Sequence, residues 1–161
     1  MKHKPQKIST CLWFDTQAEE AANFYVSLFE NSRVTSVNHY GKGAPMPEGT
    51  VLMVTFELAG TEFTALNGGP HFTFSEASSM VVKCDTQDEI DLLWTRPLEG
   101  GGVEQQCGWL KDRFGLPWQI VPSVLGEMLQ DEDADRANRV MAAAMQMVKP
   151  DIRALEQAYR K

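Results

Sequence analysis

Cysteine is scarce in this chain and shows no pattern. Cys11, Cys84 and Cys107 are odd in number and make neither a CxxC pair nor a Cys/His ligand spacing. That argues against a disulfide framework and for reduced thiols in a reducing compartment. Long apolar runs are missing too. The stretch Cys11–Phe14, after a basic start, is too short for a signal-peptide core, and no later run could span a bilayer, so the expected location is the cytoplasm. Positive charge is in deficit: 15 Lys and Arg against 22 Asp and Glu give a net charge of -7. The electrostatic footprint that holds phosphate backbones or anionic lipid is therefore absent, and neither nucleic acid nor membrane is expected as a partner.

What is present is a repeated phrase. Residues 15–19 read DTQAE and residues 85–89 read DTQDE. Each copy follows a strand-like segment, KISTCLWF (7–14) or SMVVKC (79–84), and each opens a helical pattern. Thr16 with Glu19, and Thr86 with Glu89, fit a capping box, in which the threonine oxygen accepts from a backbone N–H and the glutamate reaches back to another. Ala18, Ala21, Ala22, Tyr25, Leu28 and Phe29 then share one helical face, as do Ile90, Leu93, Trp94 and Pro97.

Strand patterns follow both helices. RVTSVNHY (33–40), TVLMVTFELAG (50–60) and TEFTALNGG (61–69) come after the first, with a tight turn at Gly60. VEQQCGWLKD (103–112) and LPWQIVP (116–122), joined by a DRFG turn, come after the second, in a module whose strands the sequence does not count. The plan is β-α-β-β-β twice: α+β, within one domain over 1–161. Module one covers about 7–69, a linker 70–77, module two about 78–122, and a helical extension 123–161. In that extension Ser123 and Asp151 are expected caps, and Ala137, Val140, Met141, Ala144 and Val148 form an apolar stripe.

The stretches LWFDTQAEEAANFYVSLF, LNGGPHFTFSEASSMVVKCDTQDEIDLLW and CGWLKDRFGLPWQIVP resemble the PhnB-like proteins, often labelled 3-demethylubiquinone-9 3-methyltransferase. These fall in the vicinal oxygen chelate superfamily, with glyoxalases and bleomycin-resistance proteins, and the likeness runs from about Ile8 to Tyr159. It implies two modules wrapping an eight-stranded sheet into a cup that holds a divalent metal or a small molecule, often in a homodimer. Relatives that bind metal place a histidine seven residues before the aspartate that leads into the helix. Here those places hold Ile8 and Ser78. The other two ligand places hold Asn67 and Gln119. Four uncharged side chains, two of them unable to ligate, do not suit a dication, so no cofactor is expected; Gln119 and His71 are the weak metal candidates.

Period-two alternation sends Ile8, Thr10, Leu12 and Phe14 to the cup and Trp13 beneath the helix, and puts Gln119 on the face opposite Trp118 and Ile120. The expected ligand-binding cup is Thr10, Leu12, Phe14, Asn67, Met80, Trp109 and Gln119. His71 and Glu76, from the linker, are the catalytic candidates, since an imidazole beside a carboxylate can move a proton near neutrality; His39 shares the ambiguity of His71, and His3 lies in the tail. The leading function is small-molecule binding without the usual metal. The alternatives are metal-assisted lyase, isomerase or oxygenase chemistry, the methyltransferase of the label, and a ligand-free dimeric scaffold. GGPH and EGGG do not make the strand-to-helix glycine turn of a nucleotide-type methyl-donor site.

Overall fold

The computed structural model describes residues 6–161, so His3 lies outside the described residues. The chain forms two compact units that divide between Thr73 and Phe74.

The first unit runs β1 (Thr10–Phe14), α1 (Ala18–Val26), β2 (Arg33–His39), β3 (Val51–Leu58) and β4 (Thr61–Asn67). Its sheet has the order β1-β4-β3-β2, parallel between β1 and β4 and antiparallel elsewhere. Helix α1 lies against β3, β4 and β2. Its Tyr25 ring sits 6.4 Å from Phe56, which stacks on Phe63 at 5.7 Å. Val54, Phe56, Leu58, Phe63 and Ala65 are all buried on this helix-covered face. Each large side chain removed from water there contributes about 1.5–3 kcal/mol, so these positions fix the phase of the sheet. The β3–β4 turn is the two-residue loop Ala59–Gly60, with φ of 47° and 83°. Positive φ at both positions is what a type I′ hairpin demands, and glycine meets it without strain.

The second unit repeats the plan with β5 (Met80–Cys84), α2 (Gln87–Leu98), β6 (Val103–Glu104), β7 (Trp109–Lys111) and β8 (Pro117–Pro122), in the order β5-β8-β7-β6. The module whose strands the sequence does not count thus has four. The segment 103–112 is two short strands, because Cys107 and Gly108 adopt φ of 59° and 82° and break it. A side chain at Gly108 would meet the Ile120 carbonyl oxygen at 2.6 Å. Buried Asp112 organises the β7–β8 turn: it accepts from the Phe114 and Leu116 amides and from the Trp118 indole, at 2.9–3.0 Å.

The two helices are capped differently. Thr86 accepts from the Glu89 amide while the Glu89 carboxylate accepts from Asp85 N–H, a capping box shifted by one residue at its second bond. At α1 the expected box does not form. The N-cap residue is Gln17, with no side-chain cap, and the Ala18 N–H donates instead to Asn67 Oδ1, 49 residues on, at 2.8 Å. Asn67 ends β4 beside the last residue of β1, where it can reach the helix start; at the matching place in the second sheet Pro122 has no side-chain acceptor to offer.

After β8 come α3 (Ser123–Leu129), α4 (Ala134–Met145) and α5 (Ile152–Arg160), closed around Met128, Val140 and Leu155. Asp133 and Asp151 cap α4 and α5. Ser123 is the first helical residue rather than a cap, and its hydroxyl donates to Asp85 at 2.6 Å. Of the expected stripe only Val140 is buried, and Met141 is exposed. The extension is moored to the second copy of the repeat. Gln87 donates to Asp91 and to the Pro150 carbonyl and accepts from Ile152 N–H, and Lys149 pairs with Asp91 at 2.7 Å.

Candidate functional site

In the first unit the helix-covered face of the sheet is identified by Phe56 and Phe63. Register carries that face across to β1: Leu12 pairs with Ala65 and Phe14 with Asn67. Thr10, Leu12, Phe14 and Asn67 therefore point toward α1, and Trp13 points away from it, the reverse of the alternation expected from sequence. The reason is local. Asp15 immediately follows the last strand residue, so the strand ends with Phe14 under the helix. Asn67, 5% exposed, has both ends of its amide engaged, with Ala18 N–H and the Val51 carbonyl. It closes the helix start rather than a ligand site. A hollow of about 410 Å³ lies there, lined by Thr16, Glu19, Met46, Thr50 and Asn67.

The open face of this sheet is built in rows. Trp13, Leu66, Met53 and Asn38 lie side by side across β1, β4, β3 and β2. Two residues along, Cys11, Thr64, Thr55 and Ser36 make the next row. Trp13 is pinned: its indole N–H donates to the Gly69 carbonyl at 3.0 Å and its ring meets Phe72 edge-on at 5.0 Å. Gly68 is required beneath it, because a Cβ there would stand 2.2 Å from the indole ring. The Cys11 thiol is pushed up by burial, so it stays protonated at neutral pH.

In the second unit α2 lies against β8, β7 and β5. Cys84, Leu110, Trp118 and Ile120 are buried beneath it, and Met80, paired with Trp118, shares their phase. Met80 is thus a further expected cup residue that faces the helix side. Gln119 and Trp109 are on the open face, in one row with Val81, which is 55% exposed. The Gln119 amide donates to Ser79 Oγ at 2.8 Å, and among the described residues nothing donates to its Oε1.

At the end of the same face Lys111 Nζ lies 2.6 Å from Glu76, which also accepts from Gln105 at 3.0 Å. The Lys111 ammonium first, then the Gln105 amide, hold the Glu76 carboxyl down at about 2. A carboxylate so stabilised is a poor proton acceptor near neutrality, so the acid/base role read for Glu76 is not supported. His71 is exposed after β4, its ring near Gly69, and His39 is exposed at the end of β2. Burial, with the Glu89 and Asp85 charges adding to it, pushes the Cys84 thiol up to about 12, which removes it as a nucleophile.

Taken within each unit, the metal places supply no ligand set. Ile8 precedes β1 and is exposed, Ser78 precedes β5 in the phase of Met80, Asn67 caps a helix, and only Gln119 faces an open surface. Among the described residues no three His, Cys, Asp or Glu side chains cluster to hold an ion. The residues present do not fit the superfamily's divalent metal. Nor does either glycine run lead from strand to helix: GGPH follows β4 into an irregular segment, and EGGG follows α2 into β6.

Comparison with known proteins places this architecture. The family model for 3-demethylubiquinone-9 3-methyltransferase matches residues 6–121. The chain belongs to this PhnB-like family. The match ends at Val121, which shortens the likeness read to Tyr159 and leaves α3, α4 and α5 outside it. A PhnB protein from Bacillus cereus, carrying the same methyltransferase description provisionally, is 38% identical over 73% of this chain and all of its own, with a TM-score of 0.68. Protein PA1353 from Pseudomonas aeruginosa is 19% identical over 73% of this chain and 97% of its own, with a TM-score of 0.60. No curated protein is significantly similar in sequence. The PhnB-like chain has two four-stranded mixed sheets, each with its helix. Among its described residues, no helix is long and apolar enough to cross a membrane.

Proposed function

We propose that this PhnB-like protein binds a small, partly apolar molecule on its open sheet faces, without a metal at the superfamily's usual quartet. The observation that carries the reading is Gln119. A half-buried amide set between Trp109 and exposed Val81, with no donor to Oε1 among the described residues, is an orienting group inside an apolar surround, the chemistry of a small-molecule site. The donor set at the quartet supports a metal-free mode. The methyltransferase description finds no support in the glycine runs. Self-association into a homodimer, implied by the superfamily, belongs to the same proposal and is read by sedimentation.

The test is metal analysis of protein purified without chelators, joined to amide chemical-shift mapping with a library of neutral small molecules. The expected result is far less than one divalent ion per chain, and ligand shifts that include the Gln119 side chain and the Trp109 indole. A stoichiometric ion lost on Gln119→Ala or His71→Ala would overturn the metal-free reading, and metal-assisted chemistry would replace it.

A further inference from the structure

The open face of the first sheet carries a pattern specific enough to name a ligand class. We infer that it accepts a neutral ring bearing hydroxyl or carbonyl groups, with the ring over Trp13, Leu66 and Met53 and the polar substituents on Thr64, Thr55 and Ser36. This deepens the proposed small-molecule function and rests on it.

The argument is one of rows. Neighbouring strands lie about 4.8 Å apart and alternate residues about 6.7 Å apart along a strand. The register therefore sets an apolar row beside a parallel row of one thiol and three hydroxyls, close enough for a single small molecule to touch both. No hydrogen bond from the Thr64, Thr55 or Ser36 hydroxyl to a described residue uses up that row, whereas Thr35, displaced at the β2 bulge, spends its hydroxyl on the Thr55 carbonyl. A hydroxyl can donate or accept, so the row suits either phenolic or carbonyl oxygen.

The anchor is rigid before any ligand arrives. Trp13 is fixed by its bond to Gly69 and by the Phe72 edge, and Phe72 is itself 66% exposed, so ordering the indole costs nothing further on binding. Charge decides against ions. Neither row contains an ionised group, and the first charges along the face are the acidic pair Glu57 and Glu62, with Arg33 held by Glu57 at 3.4 Å. An anion would meet those carboxylates, beside an Arg33 already paired with one of them.

Resorcinol, a neutral ring with two hydroxyls, is the probe, with benzoate and cyclohexane-methylammonium as charged controls. In ¹H–¹⁵N spectra, resorcinol is expected to move the Trp13 indole signal, assigned through Trp13→Phe, and the Thr55 and Thr64 amides. The isosteric Thr55→Val and Thr64→Val should each weaken binding about fivefold, with the rest of the spectrum unmoved to show an intact fold, and both controls should bind at least fivefold more weakly. Shifts confined to Trp109 and Gln119 would overturn this inference while leaving the small-molecule function standing. Equal binding of benzoate, or unchanged affinity in the valine variants, would also overturn it. No shift anywhere with any probe would sink both.

Discussion

Asn67→Ala should destabilise the first unit far more than loss of the local cap destabilises the second. The substitution removes two hydrogen bonds of a side chain that is nearly fully buried, to Ala18 N–H at 2.8 Å and the Val51 carbonyl at 3.0 Å. Ala18 is fully buried, so its N–H is left without a partner out of reach of water. Two bonds at about 1 kcal/mol each, with an orphaned donor added, give a loss of about 2–4 kcal/mol. Thr86→Val removes one exposed cap bond at 3.2 Å and should cost about 1 kcal/mol. Urea unfolding followed by α1 amide exchange reads the difference: with an m-value of about 2 kcal/mol/M, Asn67→Ala should lower the midpoint by about 1–2 M. A loss for Asn67→Ala no larger than for Thr86→Val would refute the assignment of Asn67 as the remote cap and return it to the ligand candidates.

Gly68→Ala forces a methyl into the Trp13 ring and should cost about 1–3 kcal/mol, with a changed Trp13 indole signal in NMR. Glu76, its carboxyl held at about 2 against an ordinary 4.5, contributes stability that is complete above pH 4.5 and fades as pH falls through 2; a carboxyl carbon titration at the ordinary value would show that the Lys111 pair does not form in solution. Iodoacetamide at pH 8 should label exposed Cys107 first, Cys11 more slowly because its thiol is pushed up, and spare Cys84 in the folded protein, by mass spectrometry of tryptic peptides. Gln87→Ala should raise amide exchange across α5 while the β5–β8 sheet keeps its protection; unchanged exchange in α5 would show that the mooring is unimportant.

The architecture was legible because strand, aspartate and helix recur with the same surroundings, and buried periodicity is read from sequence alone. The face of each strand was not. Alternation gives two sets of residues but not which set lies under the helix. That was decided by contacts with α1 distant in sequence, from Ala18 N–H to Asn67 and from Tyr25 to Phe56. Gln119 and Trp109 lie on the open face because Trp118 and Ile120 are large and apolar enough to claim the covered one. Leu12 and Phe14 carried the same signal, and following it instead of the distance from Asp15 would have put Trp13 on the open face. The capping box at Thr16 is a true local pattern that lost to a remote acceptor, an outcome no window of sequence displays. Lys111 and Gln105 gave no sign at all, since their role depends on a turn that brings them to Glu76.

The mooring of the C-terminal helices has a consequence for sequence change. Gln87 holds the Pro150 carbonyl and the Ile152 amide, both of them main-chain groups. Apart from the Lys149–Asp91 pair, the clasp grips backbone and is indifferent to which residues pass through it. The outward side of α5 can then drift, or be rewritten by design, without losing its anchorage, provided a small apolar plug remains at Leu155. The second copy of the repeat is in effect a socket for interchangeable tails.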